Sequence, residues 1–272
     1  MDRAKKQNLW FVAGLLGIGL ILFWRCFYSV NTTDEAFYVG TAYRLWYGDG
    51  ILCDEWMPSQ QLSSFWLIPF YALFRWILGS NDGMILAFRL LYILFQMMMS
   101  VYLYSRLKGF GWVSLFSVFF YLLSTAFNIN SLSYNTMANS FFLALVVTLA
   151  VMEKPNFKDS VLCGIFASIV VMANPYAVFA YVLYGIACAV VTLILKKLNK
   201  EIPVALQFMT FFKMSLTAAG VMVLFLLFTF WHATLERIVN NLPYIIGDQE
   251  HVHSWSDKIE GYIRIFRKRY LG

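Results

Sequence analysis

Charge is what this sequence has least of. Only 13% of its 272 residues are Asp, Glu, Lys or Arg, while 60% are hydrophobic and 19% aromatic. A soluble domain carries about a quarter charged residues, so no segment here reads as a water-facing domain. Histidine is nearly absent: three in all, His232, His251 and His253, near the carboxyl end. Cysteine is sparse too. Cys26, Cys53, Cys163 and Cys188 show no CxxC and no metal-ligand spacing, which excludes a zinc-ribbon or thioredoxin-like reading. Acids are almost missing from the apolar runs, and no internal repeat is visible, which argues against a transporter built from repeats with charged groups at the midplane. The net charge of +6 does not point to nucleic acid, because the Lys and Arg lie between apolar runs.

What is present is apolar sequence of membrane-span length, recurring from end to end. The basic start MDRAKKQ leads into LWFVAGLLGIGLILFW, longer than a signal-peptide core and without a small-residue cleavage site. It reads as an uncleaved first span over 8–28. Further apolar segments cover about 62–79, 84–105, 111–128, 135–152, 160–174, 176–195 and 205–230. The segment SSFWLIPFYALFRWILG is the ambiguous one, with Pro69 in its middle and Arg75 near its end. If it lies in the membrane plane, Arg106, Lys108, Lys154, Lys158, Lys196, Lys197 and Lys200 all fall on one side with the amino end, seven against none opposite. The positive-inside rule then makes that side the cytosol. The expectation is an all-α, polytopic bundle of about seven spans, one module over 1–272. Its first extracytoplasmic loop, 29–80, carries two membrane-surface helices. Residues 231–272 form an outer loop and a basic tail. Cys26 and Cys53 both fall outside, which allows a disulfide between them.

The polar chemistry collects at that outer face. In the first loop, Thr32-Thr33-Asp34-Glu35 has the spacing of a capping box, and acids suit a helix start. The helix that follows places Asp34, Tyr38 and Thr41 on one side. A second acidic pair, Asp54 and Glu55, precedes Pro58, which suits the start of the in-plane helix. Two acidic pairs at helix starts exceed what capping needs. A carboxylate in a partly dehydrated cleft takes a proton from a hydroxyl or holds a divalent cation on a phosphate. Arg89, early in its span, either snorkels to headgroups or clamps a phosphate. Tyr134 and Asn135 either line a sugar site or start a helix behind a Ser or Asn cap. Asn174-Pro175-Tyr176 reads as a turn with an interfacial tyrosine. In GDQEHVH, Asp248, Glu250, His251 and His253 stand close enough to bind a divalent metal or simply to face solvent. Asn31-Thr32-Thr33 is formally a glycosylation sequon, too near the membrane for that use.

Taken in order, the basic amino end, one span, TTDEAFYVGTAYRLWYGDG, CDEWMPSQQ and AFRLLYILF resemble the GT-C superfamily of membrane glycosyltransferases, over roughly residues 1–150. The nearest branches are the protein O-mannosyltransferases and the bacterial lipid A aminoarabinose transferases. The resemblance implies an integral protein of a bacterial plasma membrane that transfers a sugar from a polyprenyl-phosphate carrier to an acceptor hydroxyl outside. Asp34 would be the catalytic base and Glu35 its neighbour. Glu55, with Asp54, would contact substrate or a metal ion. Where many members carry Lys-Pro-Pro or His-Pro-Pro, this chain has Met57-Pro58-Ser59. The segment after residue 231 corresponds in order to the loop that helps form the family's acceptor cleft. Two other readings stay open: a transporter or flippase of a lipid-linked substrate, and a non-catalytic, truncated membrane module.

Overall fold

A computed structural model describes residues 3–28, 34–54, 62–125, 129–246 and, in the tail, 260, 263, 264 and 267. Among the described residues the regular structure is helical throughout. The α-helices are α1 (Arg3–Arg25), α2 (Asp34–Trp46), α3 (Ile68–Leu78), α4 (Met84–Leu107), α5 (Trp112–Leu123), α6 (Tyr134–Ala150), α7 (Phe157–Ala173), α8 (Ala177–Lys197), α9 (Phe208–His232) and α10 (Leu235–Ile246). Each apolar segment of the sequence contains a helix. Among the described residues, four helices are long and apolar enough to cross a membrane: Ala4–Arg25, Met84–Phe110, Ala177–Lys197 and Phe208–His232. The helices α5, α6 and α7 are shorter, at 12, 17 and 17 residues.

The centre of the bundle is α7. Its sequence, FKDSVLCGIFASIVVMA, mixes small residues with large apolar ones, and its side chains are buried nearly all round. That is the signature of a helix enclosed by others. It packs closely against α6 on one side and α9 on the other. Small residues let membrane helices approach until their backbones touch. Gly164 is the clearest case, since a Cβ there would lie 2.5 Å from the Met214 carbonyl oxygen and 2.6 Å from Thr217 Cβ on α9. By contrast, α8 leaves Phe179, Leu183 and Leu193 more than 60% exposed, as a lipid-facing helix does.

Polar contacts fix the two ends of the bundle. At one end, Gln7 of α1 donates to the Gly111 carbonyl (2.8 Å) and to Ser114 Oγ (3.0 Å) at the start of α5. There too Arg106 of α4 makes a two-pronged pair with Asp159 of α7, one arm at 3.1 Å, and stacks over the Tyr102 ring. The opposite end carries α2, α3 and α10.

The structure decides three points that the sequence left open or read differently. First, Cys26 and Cys53 form no disulfide; all four cysteines are free, and Cys26 is packed in the core beside α1. Second, the helical stretch Leu62–Leu78 is not uniform around Pro69. A 3₁₀ turn over Phe65–Leu67 precedes α3, and Pro69 falls in the first turn of α3, where its missing N–H costs no hydrogen bond. Third, within the apolar run 111–128, α5 ends at Leu123, and Ser124 and Thr125 are outside any helix. Beyond it, Ile129, Ser131, Leu132 and Ser133 are buried outside any helix.

The α7–α9 contact gives a first test. Gly164→Ala should cost about 1–3 kcal/mol through overpacking. Gly220→Ala, on α9 with nothing within 4 Å of its added Cβ, should be neutral or slightly stabilising. Thermal unfolding of both variants in detergent, followed by tryptophan fluorescence, checks the pair; equal midpoints would contradict the close approach.

Candidate active site at the head of α2

The site is organised by a buried ion pair. Glu35, in the first turn of α2, is 0% exposed, and Arg89, in the second turn of α4, is 3% exposed. Arg89 donates from Nε to Glu35 Oε2 at 2.6 Å, and its Nη2 lies 2.6 Å from the same oxygen. Its Nη1 donates to the Cys26 carbonyl at 2.6 Å. The second carboxylate oxygen of Glu35 accepts the backbone N–H of Asn130 at 3.0 Å. Taking two charges out of water is tolerable only when the geometry is close and the remaining lone pairs and protons are satisfied. Here one carboxylate and one guanidinium join four stretches of chain: the end of α1, the head of α2, α4, and the segment between α5 and α6.

This geometry revises two expected roles. The Glu35 carboxylate faces inward and is taken by Arg89 and Asn130, so it is not placed to accept a proton from a substrate. Its expected capping partner, Thr32, lies outside the described residues. The Arg89 guanidinium is likewise turned into the protein, where it holds Glu35 rather than facing a phosphate. Asp34 is the first residue of α2, directly preceding Glu35, so the ion pair fixes where that backbone position sits.

The face of α2 expected to carry Tyr38 and Thr41 beside Asp34 packs into the core. Tyr38 is 0% exposed and meets the Tyr134 ring edge-on, with centroids 5.9 Å apart. Thr41 Oγ1 donates to the Phe37 carbonyl at 3.0 Å, a bond within its own helix. Tyr134 is half-buried, and with Asn135 it opens α6 behind a Ser133 cap. The Ser133 hydroxyl accepts from the Thr136 N–H at 3.2 Å, while the Ser133 N–H donates to Thr136 Oγ1 at 2.8 Å. At 174–176 the chain turns, the Ala177 N–H donates to the Asn174 carbonyl, and Tyr176 is exposed.

Asp54 serves a different join. Its carboxylate accepts the Gly50 N–H at 2.6 Å and the Arg237 guanidinium of α10 at 2.9 Å. Asn241, also on α10, donates to the Leu52 carbonyl at 2.9 Å. The segment after α9 is thereby tied to the first loop, side by side with the GDG turn. Burial pushes the Cys53 thiol upward, opposed by Arg237, so it is a neutral thiol rather than a nucleophilic thiolate near neutral pH. Sequence reading missed Arg237, Asn241 and Asn130. The only signal for the first two was the pattern LERIVNNL, which puts Glu236, Arg237, Asn240 and Asn241 on one side of a helix. Asn130 gave no signal, because its contribution is a backbone N–H.

Glu55 and the expected metal ligands Asp248, His251 and His253 lie outside the described residues. Among the described residues, no group of three or more His, Cys, Asp or Glu is assembled to hold a metal ion. Compared with family models, curated proteins and solved structures, the chain matches none.

The ion pair is testable by a double-mutant cycle. Arg89→Met and Glu35→Leu should each lower stability by about 3–5 kcal/mol, because each strands a buried charge. The double variant should lose clearly less than the sum. Denaturant unfolding of the purified protein in detergent measures the coupling, and simple additivity would exclude a direct pair.

Proposed function

We propose that this protein is a membrane glycosyltransferase that works at the extracytoplasmic surface. It moves a sugar from a polyprenyl-phosphate carrier to an acceptor hydroxyl, and Asp34 is its base. The observation that carries this reading is the buried Glu35–Arg89 pair, which spends two costly charges on fixing the head of α2, where Asp34 stands. Such a fixed position suits a carboxylate whose reach must be set within fractions of an ångström. Asp34 takes the proton of the acceptor hydroxyl, and the oxygen attacks the anomeric carbon from the face opposite the carrier. The bond from that carbon to the phosphate oxygen breaks, and polyprenyl phosphate leaves with the electron pair, inverting the sugar.

Seven spans are proposed: α1, α4, α5, α6, α7, α8 and α9, with the amino end in the cytosol. The helices α2, α3 and α10 lie at the outer headgroup level. For α10 the support is its composition. Leu235, Val239 and Leu242 are exposed apolar residues, while Arg237 and Asn241 hold the first loop. Contact between α10 and the first loop puts the two outer segments together, as an acceptor cleft between them requires.

Two measurements test this reading. Native mass spectrometry of protein purified in mild detergent should reveal a bound polyprenyl phosphate or its glycosyl ester. Asp34→Asn should retain the lipid but lower transfer in reconstituted vesicles by about 10²–10⁴-fold, the usual contribution of a general base. Ordinary phospholipids alone in a folded sample would overturn the proposal. For the topology, single cysteines introduced by Asp82→Cys and Lys154→Cys in a cysteine-free background, both at exposed positions, report the two sides. An impermeant maleimide should label the first in intact cells and the second only after permeabilisation; the reverse pattern would make Leu62–Leu78 a span.

A further inference from the structure

Between α4, α5 and α6 lies a groove of about 960 Å³ that no step above uses. Its walls carry uncharged hydrogen-bonding groups, among them Gln96, Ser117, Tyr121, Asn139 and Ser140, and none of its lining residues is charged. Polar side chains in a membrane bundle are costly unless they meet a partner. Some do: the Tyr121 hydroxyl donates to Ser140 Oγ at 2.9 Å across α5 and α6. Gln96 is one that is only half met. It is 2% exposed, and its Nε2 donates to the Ser124 carbonyl at 3.2 Å. Its Oε1 is buried and has no hydrogen-bond partner. A buried acceptor left unmatched in the wall of a groove calls for a donor from an occupant.

The chain path agrees. After 12 residues α5 stops at Leu123, about 18 Å of helix against a hydrocarbon core of about 30 Å. Backbone outside a helix at membrane depth persists only where it is buried in protein or lines a polar cavity. The Ser124 carbonyl, satisfied by Gln96, is such a place. On the open side of the groove Phe116 and Phe120, one helical turn apart on α5, are 72% and 76% exposed.

We infer that this groove binds the carbohydrate headgroup of an uncharged glycolipid. The described lining holds no Lys or Arg, which argues against a phosphate, since a phosphate calls for a cationic partner. Amide, hydroxyl and tyrosine groups suit sugar hydroxyls, which both donate and accept. The lipid chain runs out over Phe116 and Phe120. This inference is independent of the transferase proposal, because it concerns binding without turnover.

The probe is an alkyne-tagged monoglucosyl diacylglycerol with a diazirine near the headgroup, added to phosphatidylcholine vesicles holding the full chain. After irradiation, crosslinks should concentrate on residues 116–124 and 136–143 and yield to excess unlabelled glucolipid but not to phosphatidylglycerol. Gln96→Leu should lower that labelling about fivefold, the loss of one neutral hydrogen bond. Asn139→Leu, at the exposed rim and therefore without consequence for folding, should lower it by a similar factor. Asp34→Asn should leave it unchanged, so a failed transfer assay and a failed binding assay remain distinct. Labelling spread evenly over α8 and α9, or equal competition by phosphatidylglycerol, would overturn the inference. So would copy-to-copy crosslinking of a Ser117→Cys variant, which would make the occupant a helix of a second copy.

Discussion

The architecture at one end of this bundle depends on a single buried interaction, the contact of Arg89 with Glu35. In a low-dielectric setting neither charge is tolerable alone, so each segment that supplies a partner is constrained by the others. The end of α1 contributes the Cys26 carbonyl, and the segment between α5 and α6 contributes the Asn130 N–H. The helices α2 and α4 contribute the charges. A short helix such as α2, with 13 residues, is marginal by itself in water. Its anchoring to α4 and its packing of Tyr38, Val39 and Ala42 into the core give it a defined place.

A second constraint is the crowding around α7. Because small residues there let α6 and α9 come close, the middle of the molecule is held by backbone-scale packing rather than by large side chains. The outer layer can then be irregular. The chain after α5 leaves the helix early, and the turn after α2 is closed from outside by α10 through Asp54, Arg237 and Asn241. The functional proposals concern these irregular places: the head of α2 for chemistry on a lipid carrier, and the groove beside Gln96 for an uncharged headgroup. Both follow the general pattern in which a rigid membrane scaffold presents polar groups only where a ligand or a paired charge meets them.

Much of the helical content was legible because long apolar runs impose a strong code. Long apolar runs give helices whatever their partners, since every backbone group must bond within its own segment. That is why all the apolar segments were found, and why α2 and the helical character of 62–78 were found with them. The presence of ionisable groups at Glu35 and Arg89, read as the neighbour of the base and as a headgroup or phosphate contact, was legible. Their partnership was not: they stand 54 positions apart, and nothing in sequence spacing reveals which charge turns inward. The same holds for Asp54 and Arg237, 183 positions apart.

What the sequence by itself determined, then, is the helical class and the places of the long apolar helices, because hydropathy is local. Only the tertiary structure decided that Glu35 faces Arg89 rather than solvent, that Tyr38 belongs to the core, and that α5 ends early beside Gln96. Those outcomes rest on desolvation, and desolvation depends on which segments come together, a property of the folded chain as a whole.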